Sequence, residues 1–160
     1  MGRPPRTVHA AIAVIERRGR YLICQRHAHD SFGGCWEFPG GKREPGESWE
    51  QCLRRELREE LGVSVRALRL AASMRHRYPD GTLMFKAFRC AIERGRPRPL
   101  DAQALRWVSA KQLARYQFPP ANRWLIDWLR AQADGAPASA PIRPRGPDPS
   151  AGARRRRVLY

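Results

Sequence analysis

Hydrophobic residues along this chain fall into short runs separated by turn-forming residues. Runs rich in Val, Ile, Leu and aromatic side chains predict β-strands. The predicted strands cover residues 7–15, 21–25, 65–74, 82–92 and 105–108. Gly19 predicts the turn of an early hairpin, and the YPDG sequence at 78–81 predicts a turn between the third and fourth strands.

Two further segments show the spacing of apolar residues that is typical of helices. The first follows Ser48, which forms a capping-box pattern with Gln51, and Gly62 is placed to end this helix. Its apolar side consists of Trp49, Cys52, Leu53, Leu57 and Leu61. The second helix is predicted at 121–133, where the apolar side consists of Leu125, Trp128 and Leu129.

The order of these elements predicts an α+β fold in which a mixed β-sheet is sandwiched between two main helices. The length of 160 residues is enough for one domain with a tail, and we assign the folded domain to residues 1–133. Residues 134–160 are dominated by Pro, Ala, Gly and Arg. Because such a segment buries too little apolar surface to offset its ordering entropy, we predict that this tail is disordered.

The chain is strongly basic, with 31 Lys and Arg against 15 Asp and Glu and a net charge of +16. The tail holds six Arg against two Asp, a contribution of +4, so the remaining +12 belongs to residues 1–133. A basic surface attracts anions such as nucleic acid. A simpler interpretation is an Arg-rich composition that places Arg wherever a surface cation is tolerated. We predict no specific nucleic-acid partner, although the Arg run at 154–157 is compatible with weak nonspecific binding.

Other sequence features limit the classes of protein to which the chain can belong. No stretch approaches 18 consecutive apolar residues, which argues against a membrane span, and the first ten residues do not resemble a secretory signal. The four cysteines show neither CxxC spacing nor a metal-finger pattern. We therefore expect a cytoplasmic protein with reduced, mostly buried thiols.

The first predicted helix carries an unusual acidic cluster. Glu56, Glu59 and Glu60 are spaced i, i+3 and i+4, which places three carboxylates on one helix face. Like charges at this spacing repel each other unless a cation offsets them. Either the neighbouring arginines neutralise an ordinary solvated face, or a divalent cation does so. Mg²⁺ prefers oxygen ligands and often bridges carboxylates to substrate phosphates.

The residues before the helix favour the metal interpretation. The Gly40–Gly41 pair allows backbone groups to approach a metal or a phosphate closely. Glu47 lies eight residues before Arg55, so the arginine can fold back to hold both this carboxylate and the acidic face.

The whole segment resembles the Nudix box, whose pattern is G-x5-E-x7-R-E-U-x-E-E-x-G-U, with U a bulky aliphatic residue. The sequence matches at every position, through Gly41, Glu47, Arg55, Glu56, Leu57, Glu59, Glu60, Gly62 and Val63. Chance agreement is on the order of one in 10⁹ per start position at ordinary residue frequencies.

This resemblance implies a Nudix-type α/β/α sandwich and an enzyme that cleaves nucleoside diphosphates linked to another group. It implies Mg²⁺ as the cofactor, for which Mn²⁺ can substitute, and water as the nucleophile. Glu56, Glu59 and Glu60 would hold the metal with the carbonyl of Gly40, while Arg55 and Glu47 complete the predicted catalytic set. Asp101 is our candidate for a further catalytic carboxylate; the alternative is an ordinary turn residue.

The resemblance extends to the MutT-type branch of the family over residues 7–130. The sequence WEFPGGK at 36–42 is similar to the LEFPGGK segment of that branch, and FPPAN at 118–122 is similar to its FPPAN motif. By this resemblance Asn122 reads the purine of 8-oxo-dGTP through its amide. The other residues that the resemblance assigns to the substrate are Arg26, which contacts phosphate, with Glu37, Phe38, Pro39 and Gly40. For Asn122 the alternative role is the N-cap of the last helix.

Three functions stay open at this stage. The leading hypothesis is hydrolysis of 8-oxo-dGTP to the monophosphate and pyrophosphate, which cleanses the nucleotide pool and limits mutation during DNA replication. The turn at 78–82 lacks the arginine of MutT, and related members with a Tyr-Pro-Asp turn hydrolyse CTP or other pyrimidine nucleotides. CTP, dCTP or another nucleotide is therefore the alternative substrate. The third is a non-catalytic module that recognises oxidised guanine in DNA repair, against which the complete box argues.

Overall fold

Seven strands and two α-helices make up the part of the chain that the computed structural model describes, residues 6–79 and 81–135. The strands are β1 Arg6–Arg17, β2 Arg20–Gln25, β3 Trp36–Glu37, β4 Gly40–Lys42, β5 Ser64–Tyr78, β6 Gly81–Arg94 and β7 Ala104–Ser109. The helices are α1 Trp49–Leu61 and α2 Arg123–Ala133, with short 3-10 helices at Ala110–Arg115 and Pro120–Asn122. Asp80 of the predicted turn and residues 136–160 of the predicted disordered tail lie outside the described residues.

The strands form one mixed sheet with the order β3-β2-β1-β6-β5, in which β4 also pairs with β1 and β7 with β2. β1 runs parallel to β6, in a register that extends from Arg6 opposite Gly81 to Ile15 opposite Cys90. The other pairs are antiparallel. A parallel pair needs a long crossover, and here α1 lies within that connection. The mixed sheet predicted from the element order is confirmed.

Alternate residues of β1 face opposite sides of the sheet. Ala11, Ala13 and Ile15 pack in one core cluster with the leucines of α1. Ala10, Ile12 and Val14 belong to a second cluster that includes the buried side of α2. The sheet therefore separates two cores, each covered by one helix, which is the sandwich expected from the pattern.

The first helix begins and ends as its sequence predicts. The Ser48 hydroxyl accepts a hydrogen bond from the Gln51 backbone N–H (3.1 Å), and the Gln51 side chain accepts one from the Ser48 N–H (2.8 Å). Gly62 follows the helix in the left-handed conformation at φ 69°. One detail differs from the prediction, since Trp49 is only half-buried while the other four residues of the apolar side are fully buried.

The short elements were not predicted. β3 and β4 have two and three residues, too few to show a period of their own, and their pairing with β2 and β1 defines them. The last helix begins at Arg123 rather than 121, because a 3-10 turn at Pro120–Asn122 comes first. The four cysteines are free thiols, as expected. Among the described residues, none of the helices has the length and apolar character needed to cross a membrane.

The capping box of α1 predicts a measurable contribution to stability. We expect Ser48→Ala to lower the free energy of unfolding by about 1 kcal/mol, because the Gln51 N–H loses its acceptor. Gln51→Ala, which removes only the reciprocal bond, should cost less. Urea denaturation of the two variants measures the difference, and equal costs would contradict the dominant role of the Ser48 hydroxyl.

Candidate active site

A cavity of about 300 Å³ opens where β4 meets the sheet edge of β1 and the carboxylate face of α1. Eight of the residues predicted from the sequence line this cavity: Arg26, Glu37, Phe38, Gly40, Glu56, Glu60, Asp101 and Asn122. A second cavity of about 410 Å³, lined by Glu16, Arg89 and Lys111 among others, contains none of the predicted site residues. The residues that the sequence separates by almost a hundred positions thus meet at one place.

Two glycines let β4 pass between β1 and α1. Gly40 has φ 146°, and a Cβ atom there would collide with the carbonyl oxygen of Ala11. A Cβ atom on Gly41 would overlap the carboxylate of Glu56. Glycine is therefore required at both positions for the backbone to approach the acidic face this closely.

Arg55 binds three carboxylates. Its Nε and Nη2 donate to the two carboxylate oxygens of Glu47, at 2.7 and 3.0 Å. Nη1 donates to Oε1 of Glu56 at 2.8 Å and to Oε2 of Glu59 at 3.3 Å. Nη2 also donates to the carbonyl of Lys42 at 3.0 Å. The arginine therefore links the loop before the helix, the helix face and β4, which is the fold-back that the spacing suggested.

The acidic side chains of α1 differ in their surroundings. Glu60 Oε2 accepts a hydrogen bond from the Gly40 N–H at 3.1 Å. Burial, followed by the nearby charge of Glu37, raises the pKa of Glu60 to about 9. Burial also raises the pKa of Glu56, although Arg55 opposes this effect. Glu59 is more exposed, at 60% for its side chain, and does not line the cavity.

These donors fit a hard divalent cation. Glu56 and Glu60 present carboxylate oxygens to the same cavity, which are the ligands that Mg²⁺ prefers. Burial disfavours their ionised forms and so raises both pKa values, an effect that a bound cation would oppose. Within residues 6–79 and 81–135, the side chains do not form a ready-made group of three metal-binding His, Cys, Asp or Glu residues. Helix α1 therefore presents two carboxylates directly to the cavity, and Glu59 lies on the exposed side of the same helix.

Arg26 and Glu37 form a half-buried ion pair on the cavity wall, with 2.6 Å between Nη1 and Oε2. The Arg26 Nε also donates to the carbonyl oxygen of Ser31 at 2.7 Å, which ties down the loop after β2. Burial raises the pKa of Glu37, while the neighbouring Arg26 lowers it. Arg26 lines the cavity and holds both groups in place.

Asp101 lies at the mouth of the cavity with its side chain 72% exposed. Its Oδ1 lies 3.2 Å from Nε2 of His27, a contact between residues 74 positions apart. Its backbone N–H donates to the carbonyl of Glu60 at 3.4 Å, so the end of α1 positions this loop. Asp101 is therefore near the carboxylates of α1 without belonging to their helix.

Aromatic and amide side chains also line the cavity. Phe38 is buried and stacks on Phe118, with 5.6 Å between ring centroids. Asn122 is only 5% exposed, and it lines the cavity at the position before α2. Its side chain makes no capping hydrogen bond to that helix. Pro39 lies behind the wall, where its carbonyl accepts a hydrogen bond from the Ala13 N–H at 2.8 Å.

Sequence analysis missed several residues of this cavity. Ala10, Ile12 and Phe85 line it through the side of the sheet that faces α2, and Asp30 reaches it from the loop after β2. Lys42 also lines it, and its place directly after the PGG sequence was the one available signal. The strand residues carry no chemical signal, because their inward direction depends on register.

The Glu47–Arg55 pair predicts a pH-dependent contribution to stability. Its hydrogen bonds from Arg55 lower the pKa of Glu47 to about 2, whereas a glutamate in an unfolded chain titrates near about 4.3. A depressed carboxyl pKa stabilises the fold above the unfolded value, and this stabilisation is lost as pH falls from about 4.3 towards 2.

We therefore expect Glu47→Gln to lower Tm at pH 7 and the difference from the parent to shrink as pH falls below about 4. Glu50→Gln, on the exposed first turn of α1, is the matched control and should show little difference at any pH. Thermal melts across this range measure both, and a Glu47→Gln effect that is constant with pH would contradict the ion pair.

Comparison with known proteins agrees with this geometry. The chain matches the NUDIX domain family over residues 10–128. It is 35% identical to a CTP pyrophosphohydrolase of Escherichia coli over 131 residues, which cover 82% of this chain and 97% of that protein. It is 31% identical to an 8-oxo-dGTP diphosphatase of the same species, over 75% of this chain and 94% of that protein.

The fold is shared as well. The solution structure of the E. coli ORF135 protein matches with a TM-score of 0.70 and 33% identity, over 81% of this chain and 94% of that one. The family match covers the strands, the glycine pair and the carboxylate helix that build the cavity. The chain is a MutT-like member of the Nudix hydrolase family.

Proposed function

We propose that this Nudix hydrolase is a Mg²⁺-dependent pyrophosphohydrolase that converts 8-oxo-dGTP to its monophosphate and pyrophosphate. The observation that carries the proposal is the composition of one cavity, whose lining includes the carboxylates of Glu56 and Glu60 together with Phe38 and a buried, non-capping Asn122. A nucleoside triphosphate has matching ends, since its phosphates need cations and its base needs an apolar slot with hydrogen-bonding groups.

The carboxylates of the cavity support a metal site. Glu56 and Glu60 would hold Mg²⁺, or Mn²⁺ in its place, with Glu59 and the carbonyl of Gly40 as the further ligands of our prediction. When bound, the metal would neutralise phosphate oxygens and lower the pKa of the attacking water. Arg55 keeps Glu56 and Glu59 in place while Glu47 restrains Arg55 itself. We assign Arg55 and Glu47 to positioning these carboxylates.

Two residues outside the box complete the phosphate end. Asp101 is the candidate for a further carboxylate that orients water, and His27 restrains it. Arg26 places a positive charge in the lining of the cavity, and its ion pair with Glu37 partly neutralises that charge. We propose that Arg26 contacts phosphate from this position and that Glu37 aims its guanidinium.

The base end supports an oxidised purine. An Asn amide offers a donor and an acceptor side by side, which suits bidentate recognition of a purine edge. Because the Asn122 side chain makes no bond to α2, its amide is available to a ligand. Phe38 and Phe118 supply an apolar surface on which a base can stack. Removal of oxidised dGTP before DNA replication would then be the cellular role, in the cytoplasm.

CTP is the second candidate substrate, and a specific likeness favours it. The E. coli CTP pyrophosphohydrolase is matched over 97% of its length at 35% identity, above the 31% shared with the E. coli 8-oxo-dGTP diphosphatase. The Tyr-Pro turn after β5 also resembles that of members acting on pyrimidine nucleotides. Both substrates carry the same triphosphate, so the choice concerns the nucleoside, that is, the base and the sugar.

The metal assignment predicts which glutamates the reaction needs. We expect Glu60→Gln and Glu56→Gln to lower kcat for pyrophosphate release about 100-fold or more, because each removes part of the charge that holds the cation. Glu50→Gln, on the exposed first turn of the same helix, is the control and should retain parental activity. A Glu60→Gln enzyme as active as the parent would show that the metal site is elsewhere.

The base assignment predicts substrate preference. We expect 8-oxo-dGTP to exceed dGTP, dCTP and CTP in kcat/KM, and Asn122→Ala to reduce that advantage about 10- to 100-fold. The ratio between two substrates is the readout, because a loss of folded enzyme lowers both values equally. If oxidised guanine has no advantage over CTP or dCTP in the parent, the second candidate replaces the first.

A further inference from the structure

A basic surface lies on the α1 side of the sheet, whereas the β1 and β6 residues that line the active-site cavity face the α2 side. We call it the basic strand face and define it by Arg43, Trp49, Arg75, Arg77 and Lys86. It contains none of the residues that line the cavity. The sheet and the start of α1 build it together.

The strand register explains why this surface is open. Lys86 lies opposite Ala11 of β1 and Ser73 of β5, and Ala11 packs against α1. Directly opposed residues point to the same side, so Lys86 shares the side that α1 covers. The next residues on that side, Arg75 and Arg77, lie beyond the first turn of the helix and are exposed. The strands thus extend past the helix that covers their other half.

Trp49 organises two of the cations at the border of this surface. The Arg43 guanidinium lies 4.9 Å and the Lys86 ammonium 4.7 Å from the centre of the Trp49 ring. Cation–π contacts of this kind restrain long side chains while their charges stay accessible. His9 approaches the same ring edge-on at 5.5 Å, and its pKa is lowered by burial and then by the charges of Arg43 and Lys86. Positive charge is therefore concentrated here.

These cations have no acidic partners in the described part of the chain. The ion pairs of Arg and Lys found in residues 6–79 and 81–135 belong to Arg26, Arg55 and Arg89. Uncompensated like charges on neighbouring strands repel each other. A polyanion laid across them would remove this repulsion and release its own counterions.

We propose that the basic strand face binds the phosphate backbone of single-stranded nucleic acid. Its four cations are spread over β5, β6 and the residue after β4, which suits a linear polyanion better than a single small anion. A row of cations with an aromatic residue among them is also the composition of sequence-independent single-strand sites. The basic strand face shares no residue with the lining of the cavity, so we expect a nucleic-acid strand bound there to leave nucleotide hydrolysis unaffected.

The test measures binding of a 5′-hydroxyl, fluorescein-labelled oligonucleotide of about 12 nucleotides to the full chain by fluorescence anisotropy. Metal is omitted, and salt is varied. The double variant Arg75→Ala/Lys86→Ala removes two cations of the basic strand face. The matched control Arg115→Ala/Arg130→Ala removes two exposed cations elsewhere and has the same net charge. The tail is identical in both, so it cannot produce a difference between them.

We expect DNA and RNA oligonucleotides to bind alike, because phosphate is the recognised group. The slope of log Kobs against log salt should fall by about 1.4 in magnitude for the first variant, at about 0.7 per phosphate contact in single strands. The control should keep the parental slope. Hydrolysis of free nucleotide should be unchanged in both variants and unaffected by the oligonucleotide.

Three results would overturn the proposal. These are a parent that does not bind the oligonucleotide, an equal loss of slope in the two double variants, and competition between the oligonucleotide and nucleotide for hydrolysis. Equal losses of slope would show that binding depends on overall charge. Competition with nucleotide would show that the oligonucleotide binds in the cavity. Because binding is measured without metal or turnover, failure here leaves the proposed hydrolysis untouched.

Discussion

The candidate active site depends on one set of interactions, the hydrogen bonds from Arg55 to the carboxylates around it. Three glutamates on a little more than one helical turn repel each other, and burial makes the repulsion stronger for two of them. Arg55, which belongs to the same helix, offsets this repulsion because its side chain reaches Glu47 on one side and Glu56 and Glu59 on the other. Glu60 accepts a hydrogen bond from the Gly40 N–H instead, and in our proposal its carboxylate is available to a metal.

A second constraint is the close approach of the β4 backbone to the carboxylate face of α1. The Gly40 N–H donates to Glu60, and the space beside Gly41 is filled by the carboxylate of Glu56. A side chain on either glycine would push β4 away from β1 or from α1. The carboxylates are thus held between an arginine and a strand without side chains, which explains how a charged cluster keeps its geometry beside a cavity.

The two faces of the sheet have different roles. Towards α2 the alternating residues of β1 and β6 form the cavity wall, and towards α1 they form core and then the basic strand face. The same alternation lets a small substrate and a polyanion approach without meeting. Acidic residues line the cavity, whereas the cations of the basic strand face have no acidic partner among the described residues.

The sequence by itself determined the local features. Capping at Ser48, the end at Gly62, the carboxylate spacing and the reach of Arg55 all depend on residues within one helix and its preceding loop, so periodicity was sufficient to predict them. The long strands were found for the same reason. The three-residue β4 was not, because a strand that short exists only through its partners. Tertiary structure alone decided the rest: that Asn122 lines the cavity without capping α2, that His27 meets Asp101, and that Lys86 lies beside Trp49. These contacts join segments that are distant in the sequence. A shift of one residue in strand register would also turn a strand residue such as Lys86 to the other side of the sheet.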